Sequence, residues 1–125
     1  NKMENRIRII GPQTLIPSGI EKFGVEVYED MNEGLTDVDV VMMLRLQNER
    51  MDGAFIPSRR EYYYRWGLTP KKLAKAKDDA IVMHPGPINV DLEITDDIAT
   101  SEKALISTQV ENGLYIRAAL LSLIS

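Results

Sequence analysis

Cysteine is absent from this 125-residue chain, and histidine and tryptophan occur once each. Without cysteine there is no disulfide, no thiolate metal site and no Cys nucleophile, a pattern that fits a cytoplasmic protein. One histidine with no His/Cys cluster around it leaves little from which to build a zinc site. No apolar run approaches the roughly 20 residues needed to span a bilayer, so no membrane partner is expected. Asn1 to Arg8 are charged and polar and lack the apolar core of a signal peptide. No Gly-x-Gly-x-x-Gly or Gly-Lys-Ser/Thr phosphate loop follows a candidate strand, so dinucleotide binding has no support. A surplus of positive charge is missing too: the net charge is −4, with both signs scattered and no basic patch. Nucleic acid is therefore not an expected partner.

What is present is ordinary for a globular domain. Apolar residues make up 44% and charged residues 27%, and the length suffices for one domain with a real core. Arg6 to Ile10 reads as a strand stopped by Gly11-Pro12. Leu15 to Phe23 reads as a short helix, with Pro17 near its start and Gly24 just past its end. Val25 to Tyr28 is a second strand, and Glu29 to Thr36 a polar loop with a helical turn. Val38 to Leu44 is apolar apart from Asp39 and reads as a buried parallel strand. Ser58 to Trp66 is a helix capped by Ser58, with Glu61 three residues on. Thr69 and Pro70 open another as cap and first position, with Leu73 and Ala76 on its face and Lys71, Lys72, Lys75 and Lys77 solvated around it. Ala80 to Met83 is the fourth strand, and Ile106 to Leu123 a long, apolar final helix. The alternation predicts an α/β fold, a three-layer, mostly parallel Rossmann-like sheet with helices on both faces.

Two segments stand where such folds bind ligands, just past the carboxyl ends of strands. The first runs Arg45-Leu46-Gln47-Asn48-Glu49-Arg50. Arg45 offers a guanidinium, always charged and able to grip a carboxylate through two parallel hydrogen bonds, and Gln47 adds an amide. The expected ligand is a small anion. The second segment is His84-Pro85-Gly86-Pro87, a stiff turn in which two prolines fix φ. His84 invites a general-base role, but we read it as a strand-end histidine hydrogen-bonded to backbone. Tyr62 to Trp66, with Arg59, Arg60 and Arg65 around them, form an aromatic and basic cluster that we read mainly as packing.

These motifs together resemble the aspartate carbamoyltransferase family, which carries Arg-x-Gln-x-Glu-Arg after one strand and His-Pro-Gly-Pro or His-Pro-Leu-Pro after the next. The turn Gly11-Pro12-x-Thr14-Leu15 and the ending Asn112-Gly113-x-x-x-Arg117-x-x-Leu120-Leu121 are similar as well, so the resemblance covers nearly the whole chain. It departs at Asn89-Val90-Asp91, where the sequence mixes two subfamily patterns.

The resemblance implies a transferase moving a carbamoyl group from carbamoyl phosphate to the amine of L-aspartate, in de novo pyrimidine biosynthesis, with no cofactor and no metal. It implies that Arg45 and Gln47 bind aspartate, and that Glu49 and Arg50 help hold a closed state between domains. It further implies that the carbonyls of Gly86 and Pro87 accept from the carbamoyl amino group, with a cis bond at Gly86-Pro87. The family's catalytic histidine and its Ser-Thr-Arg-Thr phosphate grip have no counterpart here, so no catalytic residue is assigned within this chain. Residues 1–105 then correspond to most of an aspartate-binding domain, and 106–125 to a helix that packs back on an N-terminal carbamoyl phosphate domain. Absence of an initiating Met and an apolar last helix agree with a piece of something larger, inactive alone. A homotrimer is implied, with a possible regulatory or dihydroorotase partner. The competing readings are ornithine carbamoyltransferase, whose His-Cys-Leu-Pro loop is not matched here, and a non-catalytic amino-acid-binding or scaffold domain.

Overall fold

A computed structural model describes residues 5–46 and 58–124. The fold is α/β with a Rossmann-like layout, and its strand pairs are parallel. Strand β1 (Ile7–Ile10) pairs with β2 (Val25–Tyr28), Ile7 opposite Val25 and Ile10 opposite Tyr28. Strand β3 (Val40–Met42) pairs with β4 (Ile81–Met83), Val40 opposite Ile81 and Met42 opposite Met83. On its other side β4 meets the segment 103–105: Val82 donates to the Lys103 carbonyl at 2.8 Å, and Leu105 donates to the Val82 carbonyl at 2.9 Å. Among the described residues the strands thus form two hydrogen-bonded pairs, the second extended by a bridge at Ala104.

The first expected helix is replaced by two 3-10 turns, Gln13–Leu15 and Ile20–Phe23. Ile16, held in an extended conformation (φ −92°, ψ 122°), precedes Pro17, whose ring disfavours the helical region for the residue before it. Gly19 then adopts φ 78°, which again a continuous helix cannot accommodate. Helix α1 (Met31–Leu35) follows β2, its first turn capped by Asp30, whose carboxylate accepts from the Asn32 and Glu33 N–H groups at 2.7 and 3.1 Å. Those donations hold the Asp30 carboxyl below its ordinary pKa. The far end of α1 is closed by Arg8 on β1, which donates to the carbonyls of Gly34 and Thr36.

Helix α2 (Arg59–Trp66) is capped by Ser58, whose hydroxyl accepts from the Glu61 N–H at 3.1 Å. Helix α3 (Pro70–Leu73) is capped by Thr69. It is short because the chain leaves it to pair with the approach to β3: Asp37 donates to the Lys75 carbonyl and Lys77 to the Val38 carbonyl. Helix α4 (Asp96–Ala99) escapes a reading by periodicity because it is a single turn. Helix α5 (Ile106–Ile124) closes the chain. The core gathers Met31 and Leu35 from α1, Val41, Trp66, Leu68, Leu73, Val82, Ile94, Ile98 and Ile106. Strand β3 is half-buried rather than buried: Val41 faces the core, while Val40, Met42 and Leu44 lie on the opposite, exposed face, as the two-residue period of a strand requires.

Two sequence expectations for the α2–α3 region change. The aromatics do pack in part: Trp66 is buried, its indole N–H donates to the Glu29 carbonyl at 2.9 Å, and Tyr62 stacks at a tilt 5.6 Å away, whereas Tyr64 is exposed. Of the lysines read as solvated, Lys72 is half-buried. Its ammonium donates to the carbonyls of Tyr64, Arg65 and Gly67 at 2.8, 3.0 and 2.8 Å, closing the carboxyl end of α2 where orphan acceptors gather. Burial pulls its pKa below the usual lysine range. Lys77 pairs with Asp39 at 2.6 Å. Gly67 sits so close to the body that an added Cβ would stand 2.6 Å from the Tyr63 carbonyl oxygen and 2.9 Å from that of Leu92.

Lys72→Met keeps the aliphatic stem but strips three carbonyls of a donor. It should lower unfolding free energy by about 1–2 kcal/mol, read by urea denaturation with Trp66 fluorescence as the signal.

Candidate functional site

The site grows from the register of β3 and β4. Met42 lies opposite Met83, and the Met43 N–H extends the ladder to the Met83 carbonyl at 2.9 Å. Arg45 is three residues past Met42, and Gly86 three past Met83. The guanidinium-bearing segment and the proline loop therefore leave neighbouring parallel strands at the same end. A further link joins them: the Asn89 side-chain amide donates to the Leu46 carbonyl at 3.4 Å. Arg45 is half-buried there. Gln47, Glu49 and Arg50 lie outside the described residues.

The peptide bond Gly86-Pro87 is cis, and Gly86 has φ 67°. His84 is fully buried and organises the loop through both its backbone and its ring. Its N–H donates to Oε1 of Gln109 on α5 at 2.9 Å. Its Nδ1 accepts from the Gly86 N–H at 2.9 Å, so that nitrogen carries a lone pair and the ring proton of this tautomer sits on Nε2. The histidine is thus bonded to backbone, as its strand-end position suggested.

The family model described as "Aspartate/ornithine carbamoyltransferase, Asp/Orn binding domain" matches residues 2–124. The chain belongs to this family. An aspartate carbamoyltransferase catalytic subunit from Roseobacter denitrificans is 62% identical over 125 residues, covering 99% of this chain and 40% of its own length. One from Ruegeria pomeroyi is 60% identical with the same coverage. The chain thus spans about two fifths of the length of these curated relatives. Among solved structures, ornithine carbamoyltransferase from Thermus thermophilus superposes with a TM-score of 0.77 at 15% identity, over 96% of this chain and 40% of that one. An N-acetyl-L-ornithine transcarbamylase bound to carbamyl phosphate and N-succinyl-L-norvaline gives 0.76 at 16% identity, with the same coverage. At those identities the likeness is one of carbamoyltransferase fold.

The residue that sequence reasoning missed in this carbamoyltransferase domain is Glu93. It is fully buried; its Oε1 accepts from the Asn89 N–H at 2.8 Å and stands 3.4 Å from His84 Nε2. Tyr62 lies near enough that the carboxylate, second to burial, raises the phenol's pKa. The sequence offered only a glutamate between Leu92 and Ile94, and with Asp91, Asp96 and Asp97 close by nothing set it apart from the other acidic residues. Outside this cluster, helix α5 touches the body through Ile106 and Gln109, and Val110 lies beside Gly86. Farther along, Leu114, Tyr115, Ile116, Leu120, Leu121, Leu123 and Ile124 are exposed. No helix among the described residues is long and apolar enough to cross a membrane.

Gln109→Ala removes the acceptor for the His84 N–H. It should cost about 1–2 kcal/mol in a denaturant titration, with Gln109→Glu, which keeps an acceptor oxygen, costing less.

Proposed function

We propose that the chain is the aspartate-binding part of an aspartate carbamoyltransferase. The observation that carries this is the convergence of Arg45 and the cis Gly86-Pro87 loop at one end of the β3–β4 pair. One element supplies a cation suited to a carboxylate, the other a rigid run of backbone acceptors. The names of relatives about 60% identical support aspartate rather than ornithine as the acceptor, and the ornithine-specific structures are far more distant.

In this reading the aspartate amine attacks the carbonyl carbon of carbamoyl phosphate. A C–N bond forms, the C–O bond to phosphate breaks, and the departing phosphate takes up the proton that the amine gives up, leaving N-carbamoyl-L-aspartate and hydrogen phosphate. Arg45 holds a carboxylate of aspartate, and Gln47 contributes to aspartate binding. The carbonyls of Gly86 and Pro87 accept from the carbamoyl amino group and fix its orientation. Their share of catalysis is positioning by groups already in place, which spares reorganisation at the transition state. Glu49 and Arg50 support closure against a neighbouring domain. Residues 106–125 pack on an N-terminal carbamoyl phosphate domain, which would cover the exposed apolar face of α5. The working unit is a cytoplasmic homotrimer, open to a regulatory or dihydroorotase partner.

Arg45→Ala tests this in a catalytic chain of the relatives' full length. Carbamoyl-aspartate formation should persist in the parent and lose about a hundredfold in kcat/KM for aspartate in the variant, since a charge-assisted grip on a carboxylate contributes about 1.5–3 kcal/mol. Equal use of ornithine by the parent would move the assignment to the other branch of the family. Unchanged kinetics in the variant would remove Arg45 from the site.

A further inference from the structure

Glu93 is an expensive residue to keep. A carboxylate withdrawn from water is costly unless hydrogen bonds replace its hydration. Only one of its oxygens has a hydrogen-bond donor among the described residues, the Asn89 N–H. Packing alone would be served better by leucine. The carboxylate is instead mounted on the rigid body. Leu68 donates to the Glu93 carbonyl at 2.9 Å and Thr95 donates to the Leu68 carbonyl at 3.1 Å, and the flanking Leu92 and Ile94 are fully buried. From that fixed point it reaches the loop at both ends. At one end Oε1 accepts from the Asn89 N–H. At the other it faces His84 Nε2 at 3.4 Å, and the opposite nitrogen of the same ring accepts from the Gly86 N–H. Gly86 and Asn89 bracket the cis bond, so the backbone that presents the two carbonyls hangs between contacts that trace back to one side chain.

We propose that Glu93 is a positioning residue, acting through His84 and Asn89 to aim the carbonyls of Gly86 and Pro87 at the carbamoyl group. This rests on the transferase reading above. Glu93 does not touch substrate. It fixes the angle at which the acceptors stand, and a small misplacement of such groups carries a large kinetic penalty.

The test uses Glu93→Leu and Glu93→Gln in a full-length catalytic chain, read by steady-state kinetics and by hydrogen exchange at the Gly86 and Asn89 amides. Glu93→Leu should lower kcat by about a hundredfold with little change in KM for aspartate, and both amides should lose protection. Glu93→Gln, whose amide oxygen can still accept from Asn89, should recover a large part of the kcat and the protection. A role in packing alone predicts the reverse order. Should Glu93→Leu fail to fold, His84→Asn serves: it keeps an acceptor for Gly86 but severs the link to Glu93, and a wild-type kcat there overturns the proposal. A folded Glu93→Leu with wild-type kcat, or with both amides still protected, overturns it as well. A parent chain that makes no carbamoyl-aspartate overturns the transferase reading and the catalytic role with it, while amide exchange still decides whether Glu93 holds the loop.

Discussion

The site depends on the hydrogen-bonded pairing of two three-residue strands. Strands this short carry little stability alone, and β3 and β4 gain theirs around Val82, which is fully buried, stands opposite Val41 of β3 in the register, and bonds through its own N–H and C=O to the segment 103–105 on the other side. The parallel register then does what a loop could not. It brings two segments about forty residues apart in the chain to the same end of the sheet, level to within a residue, before any side chain is considered. A slip of one residue would turn the strand's side chains to the other face and set Arg45 against a different part of the proline loop.

Around that pairing, helix ends are closed by charged groups, one of them the helix's own cap and two from other elements. Asp30 closes the amino end of α1, Arg8 from β1 its carboxyl end, and Lys72 from α3 the carboxyl end of α2. Each ionic group sits at the helix terminus whose partial charge it complements. Helices of five to eight residues are too short to persist by propensity, so these caps, with the packing of Met31, Leu35 and Trp66, hold them to the body.

Much of this was legible in the residues, for local reasons. Ser58 and Thr69-Pro70 are cap signals that act within one turn, and both helices start where those signals stand. Strand β2 runs over Val25–Tyr28 because it is a short branched run after Gly24. The linear pattern failed where the outcome depends on distant atoms. Lys72 looked like its neighbouring lysines, and only the fold brings the end of α2 within its reach. Pro17 was read as a helix start when its effect on Ile16 was the stronger. Val40 and Met42 looked like core, because an apolar run does not say which face of a strand is covered. At the site, Arg45, Gly86 and Pro87 stand out by residue type and position. Glu93 does not: its bond with Asn89 closes within a local turn, but its approach to His84, nine residues back, exists only in the fold.

Helix α5 carries a mechanical consequence. It is roughly 28 Å long at the usual rise per residue, and its first turns are bonded to the proline loop through Gln109 and His84. The rest of its length is an apolar surface facing outward. One continuous element thus carries both the outward apolar surface and the Gln109 acceptor at the base of the loop, so a partner seated on that surface is joined to the loop through a single helix.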